Sequence, residues 1–576
     1  MGGADGSSFC SVGVARCTAT LRAACPVFSK HRRIPMSGKS SRAAWTTGLL
    51  TATVLAAGIT AATPAGAIAG GEAKADAYAF AAKLTIGEGD SARACTGALV
   101  DKQWVLTASS CFADNPSQGF KVSAGAPKWK TTATVGRTEL TQTTGSVADI
   151  VELVPYEGRD VVMAKLAKPV TGVTPVTVGS AAPAPGDELK VVGFGRTKTD
   201  WVPDRLGAAS FAVDSVADGS MSISPKSPAD GAVCKGDTGG PALRENAGRM
   251  ELVGVNSTSW QGGCLGTDAS ETRTSALDTR VDDLSTWVQK VSYRDVFPKA
   301  PWGKATHIAA GYFTGGSAGG ARHMDLIVRW VDSEVTLYQG ADDKDARQPF
   351  VAEYQIGKPL KEDPKTNWQF VQQMTGASFG DGSDGLVVRW VDSEMTQYTH
   401  VDKSGFHGEK RLAAPDPKGA WPHLKNMTAG RYTANAQRDD LLVVWDDGGV
   451  TLHPDLNTNG LAESAKKTLV QKNTTWSHAT QIASGEFTGK KTADLLVRWS
   501  DGETTIYPGV DAAGLHGEIQ IKPQKSYMTN ATVMGVGAFV ANDVPNDVLV
   551  RWADGKFTMF PAVDAAGLHD EIKLWG

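Results

Sequence analysis

Five times between residues 325 and 552 the chain runs from an aspartate through an apolar stretch to a tryptophan. The copies are Asp325-Leu326-Ile327-Val328-Arg329-Trp330, Asp384-Gly385-Leu386-Val387-Val388-Arg389-Trp390, Asp440-Leu441-Leu442-Val443-Val444-Trp445, Asp494-Leu495-Leu496-Val497-Arg498-Trp499 and Asp547-Val548-Leu549-Val550-Arg551-Trp552. Their tryptophans are spaced by 60, 55, 54 and 53 residues. Self-similarity at such a period marks an array of supersecondary units, each unable to bury its apolar face until its neighbours stack on it. Within a unit the run to Trp499 meets a turn at Ser500-Asp501-Gly502, and the return from Glu503 to Tyr507 alternates in character. That is the pattern of antiparallel strands, so residues 305–576 are expected to be all-β.

A Gly-x-Phe turn precedes the runs, as in Gly311-Tyr312-Phe313-Thr314-Gly315 and Gly485-Glu486-Phe487-Thr488-Gly489. The combination resembles the FG-GAP repeats that form β-propeller blades. Five copies imply five blades, with Leu574-Trp575-Gly576 supplying the strand that closes the ring; an open stack of repeats is the alternative. Many FG-GAP repeats hold calcium between alternating carboxylates. Here Gly489-Lys490-Lys491-Thr492-Ala493 has no such alternation, and only Asp381 and Asp384 resemble it, so turn-forming aspartates are expected and no metal. A second element recurs as Asp402-x-x-Gly405-Phe406-His407, Asp511-x-x-Gly514-Leu515-His516 and Asp564-x-x-Gly567-Leu568-His569. Its side chains either line equivalent ligand pockets or satisfy local backbone, and the second reading is preferred. The repeated Trp and Arg are read as blade core and blade-to-blade packing.

The preceding region carries different signatures. Cys234-Lys235-Gly236-Asp237-Thr238-Gly239-Gly240-Pro241 and Trp104-Val105-Leu106-Thr107-Ala108-Ser109-Ser110-Cys111 resemble the nucleophile loop and the histidine-bearing strand end of trypsin and chymotrypsin relatives. Arg159-Asp160-Val161-Val162-Met163-Ala164-Lys165-Leu166 resembles the segment of the triad aspartate, and Val191-Val192-Gly193-Phe194-Gly195 one of the second barrel. The resemblance implies a chymotrypsin-like double β-barrel with triad positions at Ser110, Asp160 and Thr238. Two of these are substituted. None of the ten histidines falls between residues 32 and 306, so the region has no imidazole to take a proton from a hydroxyl nucleophile.

The same resemblance places an oxyanion hole at the backbone N–H groups of Gly236 and Thr238. It sets Ala232 at the base of the specificity pocket, where trypsin carries an aspartate, and Ser257 on the strand that pairs with substrate. Asn256, Thr258 and Ser259 depart from the family pattern there. It also implies an ion pair between the Ile68 ammonium and Asp237, and disulfides Cys95–Cys111 and Cys234–Cys264; spacing alone allows three connectivities. Short β runs are expected at Lys121–Ser123 and Val173–Val178. An amphipathic helix is expected from Ala276 to Val291, with Leu277, Val281, Leu284, Trp287, Val288 and Val291 on one side. Lys235 is read as a solvated rim residue rather than a substitute base.

At 576 residues the chain is too long for one core, and its net charge of −4 lacks the basic footprint of a nucleic-acid binder. An apolar run from Thr46 to Ala62 follows Arg32, Arg33, Lys39 and Arg42, and Ala65-Gly66-Ala67 fits signal peptidase cleavage; Met36 offers an alternative start. Of seven cysteines, Cys10, Cys17 and Cys25 precede that run, leaving four for an oxidising compartment. The expected organisation is an extension and signal peptide over 1–67, a trypsin-like domain over 68–291, a linker over 292–304 and a repeat propeller over 305–576. The expected function is a secreted pseudoprotease. It would bind a protein or peptide at the barrel and an extracellular glycan or protein at the propeller, with no cofactor, no nucleic acid and no membrane after cleavage. The alternative is an active endopeptidase that uses Thr238 with another base.

Overall fold

The computed structural model describes residues 77–575, leaving out 90–91, 318–319, 321, 381, 383, 434–436, 541–543 and the side chain of Glu463. The signal segment, Ile68 and Asp381 therefore lie outside the described residues. Six strands close the first barrel in the order β1-β2-β3-β6-β5-β4: β1 (Ala81–Ile86), β2 (Arg93–Asp101), β3 (Trp104–Thr107), β4 (Thr131–Val135), β5 (Ser146–Pro155) and β6 (Val162–Leu166). Trp104, Val105, Leu106 and the whole of Val162-Met163-Ala164 are buried within it.

The second barrel adds the two-residue β7 (Thr177–Val178), then β8 (Glu188–Gly193), β9 (Gly207–Ala217), β10 (Ser220–Ser227), β11 (Pro241–Asn246), β12 (Arg249–Ser259) and β13 (Ala276–Arg280). Pairing of β11 with both β8 and β12 closes six of them, and β7 joins β12 in parallel from outside.

Two local expectations fail here. Lys121–Ser123 is not a strand, and of Val173–Val178 only Thr177 and Val178 pair. The helix α1 runs from Ser285 to Tyr293, whereas Ala276–Arg280 is strand β13. The helical spacing of Leu277 is accidental. Leu277 is 43% exposed, and the residues that turn inward are Ala276 and Asp278, as period-two geometry requires.

Residues 305–575 form five four-stranded antiparallel sheets, each built from four consecutive strands, in a propeller arrangement. The last strand, Ile572–Trp575, pairs with Phe557–Phe560 as the outer strand of the fifth blade, so it does not bridge to the first. The ring is joined at that point by Met324 N–H donating to the Ala538 carbonyl, 2.8 Å. The sequence period has a side-chain cause. Each repeat tryptophan donates its Nε1–H to the threonine six residues on: Trp330 to Thr336, Trp390 to Thr396, Trp445 to Thr451, Trp499 to Thr505 and Trp552 to Thr558, all within 2.7–2.9 Å. Arg329, Arg389 and Arg498 reach carbonyls of the next blade, Trp368, Trp421 and Met528.

The repeat aspartates hold the Gly-x-Phe turns. Asp494 accepts from Phe487 N–H, Thr488 N–H, Thr488 Oγ1 and Gly509 N–H at 2.6–2.9 Å, and Asp547 accepts from Phe539, Val540 and Ala562. Asp384 accepts the Tyr312 N–H of the preceding blade. The recurrent His-Asp elements close on themselves: His407 lies 3.0 Å from Asp402, His516 2.9 Å from Asp511 and His569 3.1 Å from Asp564.

The expected linker is a packed element. Trp302 is fully buried and stacks on Phe557 at 4.5 Å and 7°. Tyr293 and Phe297 join the same cluster with Tyr338 and Phe350. From α1, Lys290 meets Asp343 at 2.6 Å, and Tyr293 donates to Glu353 at 2.8 Å, so the helix that ends the second barrel docks on the first blade.

Candidate active site

Two loops and one strand bring the sequence-derived positions together. Ser110 sits in the single 3₁₀ turn Ser109–Cys111 after β3, which the disulfide Cys95–Cys111 and the Ser109 Oγ bond to Val161 O pin in place. Asp160, buried, precedes β6. Its Oδ1 accepts the Ser110 N–H at 2.7 Å, and its Oδ2 accepts Ser110 Oγ at 2.9 Å and Ser257 Oγ at 2.7 Å. A carboxylate in this position would orient an imidazole in a working triad. Here two serine hydroxyls and one amide fill it, so Ser110 is a hydrogen-bond donor to Asp160 and carries no proton-accepting nitrogen.

Thr238 is placed by a loop with little freedom. Asp237 beneath it is fully buried; Gly195 N–H donates to its Oδ1 at 2.7 Å and Cys234 N–H to its Oδ2 at 2.9 Å. A Cβ on Gly193 or Gly195 would stand 2.1 Å or 2.5 Å from that carboxyl group, so both must be glycine. Burial pushes the Asp237 carboxyl up to about 8 against the opposing pull of the Cys234 and Gly195 amides. Its expected Ile68 partner lies outside the described residues.

The loop backbone is tied to both barrels. Thr96 of β2 donates its N–H to Thr238 O and its hydroxyl to Gly236 O, while Gly239 N–H and Asn256 N–H donate to Asn256 O and Gly240 O. Among the described residues the N–H groups of Gly236 and Thr238 have no acceptor, which leaves two backbone donors free beside the Thr238 hydroxyl. That hydroxyl in turn makes no hydrogen bond to Ser110, Asp160 or Lys235. Lys235 is exposed and contributes only its carbonyl, to Arg196 N–H.

The residues that the resemblance assigns to a specificity pocket are closely packed. Ala232 is fully buried in contact with the Cys234–Cys264 disulfide. Ser259 Oγ donates to Val233 O at 2.6 Å, which ties β12 to the segment before Cys234. At the rim Trp260 is half exposed with the Arg273 guanidinium 3.3 Å from its ring centre.

Two residues beneath the loop carry buried polar groups to which no motif points. Asn256 donates Nδ2 to Asp237 O at 3.3 Å, but its Oδ1 is buried without a partner. Directly across the β12–β13 ladder lies Asp278, fully buried, with neither carboxyl oxygen hydrogen-bonded. Burial pushes it up to about 8. A single helix over residues 276–291 would set Asp278 on a solvated face; on a strand the same residue faces the barrel interior.

With this geometry in view, comparison with known proteins is informative. The trypsin family model matches residues 67–288. A snake venom serine protease, nikobin of Vipera nikolskii, is 24% identical over 241 residues, covering 39% of this chain and 86% of its own length. The match and the double barrel together support a trypsin-like domain in this part of the chain, here followed by a five-bladed propeller arrangement. Two disulfides suit an oxidising compartment, and no helix among the described residues is long and apolar enough to cross a membrane.

Proposed function

We propose that the protein is a secreted pseudoprotease: a trypsin-like scaffold that holds a protein or peptide without cleaving it, while its FG-GAP-like propeller attaches to an extracellular glycan or protein. The observation that carries this reading is the occupancy of Asp160 by Ser110 and Ser257. The acid of the triad is engaged, and nothing that accepts a proton stands between it and Thr238. Losing even one triad member leaves only about 10³–10⁴ of rate enhancement over water.

The test is hydrolysis of casein and a peptide library by the secreted protein beginning at Ile68, beside Ser110→His/Thr238→Ser and Thr238→Ala. The unmodified chain is expected to be inert. Cleavage that Thr238→Ala abolishes would make the protein an active endopeptidase and sink the proposal.

A further inference from the structure

In the fourth blade the turn Gly489-Lys490-Lys491-Thr492-Ala493 carries two lysines where a cation-binding turn would carry carboxylates. It opens on a groove of about 730 Å³ between the third and fourth blades, and Arg431 faces it from the third. Arg431 and Glu486 also line the axial cavity of the propeller, about 440 Å³, so the two spaces meet at these residues.

The charge balance of the groove is positive. Arg431, Lys490 and Lys491 are exposed, and among the described residues none of them makes an ion pair. Two carboxylates line the groove with them. Asp511 is held by His516 at 2.9 Å and by the Ala513 and Gly514 amides, so three cations face two carboxylates, of which Glu486 is the one not engaged by these groups. On the axial side, burial pushes Asp439 up to about 7 in spite of the opposing pull of Arg431, which weakens its claim on that guanidinium. Three cations around a concave surface raise the local concentration of anions.

The walls narrow the ligand class. Ala493, Ala512 and Ala513 supply the apolar lining, and its one aromatic residue, Tyr432, is fully buried, so no large apolar side chain stands exposed as the anchor on which protein–protein affinity usually depends. At the axial end Tyr312, Ser378, Gln437 and Asp439 provide one aromatic ring and several hydrogen-bonding groups. That surface suits sugar rings, whose hydroxyls need many polar partners and whose faces pack on an aromatic side chain. We propose that the groove between the third and fourth blades binds an acidic glycan, its carboxylate or sulfate groups held by Arg431, Lys490 and Lys491. This inference rests on the reading of the propeller as the part that attaches to an extracellular ligand.

The test uses the full secreted chain against immobilised polygalacturonate and heparin, with uncharged dextran and polyglutamate as comparators. Expected are retention on at least one acidic glycan that weakens with salt, and little retention on dextran or polyglutamate. Binding should weaken about tenfold for each cation removed in Arg431→Ala, in Lys490→Ala/Lys491→Ala and in the triple variant that combines them. All three residues are exposed, so the variants are expected to fold, and their melting temperatures check this directly. If the triple variant binds an acidic glycan as well as the parent, the groove is the wrong site although the propeller reading stands. Equal retention on polyglutamate overturns the glycan class. Retention on none of the four polymers overturns the inference, and a pull-down of other extracellular glycans by the same chain then decides whether the propeller reading falls with it.

Discussion

Asp278 offers the sharpest quantitative test of the barrel interior. It faces Asn256 across the ladder, with Met221 of β10 on its other side, and no charged group contributes to its perturbation. An aspartate ionises near 3.8 when unfolded, and this one is pushed up to about 8 in the fold. Between those values the native state holds a proton that the unfolded chain has released. Stability from this group is therefore fully present below pH 3.8, lost as pH rises, and level again above pH 8. The slope is about 1.4 kcal/mol per pH unit, or roughly 4 kcal/mol between pH 5 and 8.

Asp278→Asn puts a permanently neutral group of the same shape in place, with an amide N–H available for the unpartnered Asn256 Oδ1. Asp237 titrates in the same direction, so the quantity to follow is the difference between variant and parent in urea denaturation at several pH values. The variant is expected to match the parent near pH 4 and to exceed it by a few kcal/mol at pH 8. A difference that stays constant with pH would refute the argument that Asp278 is buried as the neutral acid.

Trp302→Ala removes the ring stacked on Phe557 and is expected to cost about 3–5 kcal/mol, read as a fall in the propeller's urea midpoint. Asp494→Ala strands the four donors of the fourth-blade turn and is expected to cost about 2–4 kcal/mol; because backbone and threonine donors occupy that carboxylate, added calcium should leave the parent's melting temperature unchanged.

The architecture was legible where one side chain does the same work five times. Tryptophan recurs because each copy needs an indole N–H to reach a threonine across the hairpin, and aspartate because each Gly-x-Phe turn leaves several amides to be capped. The loops that carry Ser110 and Thr238 were legible because glycines and cysteines with fixed duties surround them: Gly193 and Gly195 leave room for Asp237, and the disulfides bracket both loops. Spacing alone misled at residues 276–280, where Leu277, Val281 and Leu284 fall at helical intervals although the chain is extended. Tertiary pairing with β10 and β12 decides that segment, and a local pattern contains no record of it. The closing strand was misplaced for a similar reason, since Ile572–Trp575 fits the edge of its own blade as well in pattern as it would fit a neighbour's.

Asp160 has a structural duty of its own. Asp160 belongs to the first barrel, Ser110 to the turn after β3, and Ser257 to β12 of the second barrel, so one carboxylate joins both halves through three hydrogen bonds of 2.7–2.9 Å. In a working enzyme a substitution here is dominated by its effect on catalysis. On the pseudoprotease proposal it should be dominated here by stability. Asp160→Ala leaves the Ser110 amide and two hydroxyls without their acceptor at a buried junction, an expected loss of about 2–4 kcal/mol. Equilibrium unfolding in urea measures it, and Ser257→Ala, which removes only the inter-barrel bond, should account for about 1 kcal/mol of the total. An Asp160→Ala protein that unfolds at the parent's midpoint would mean that the two barrels do not depend on this junction, and that the carboxylate persists for some other reason.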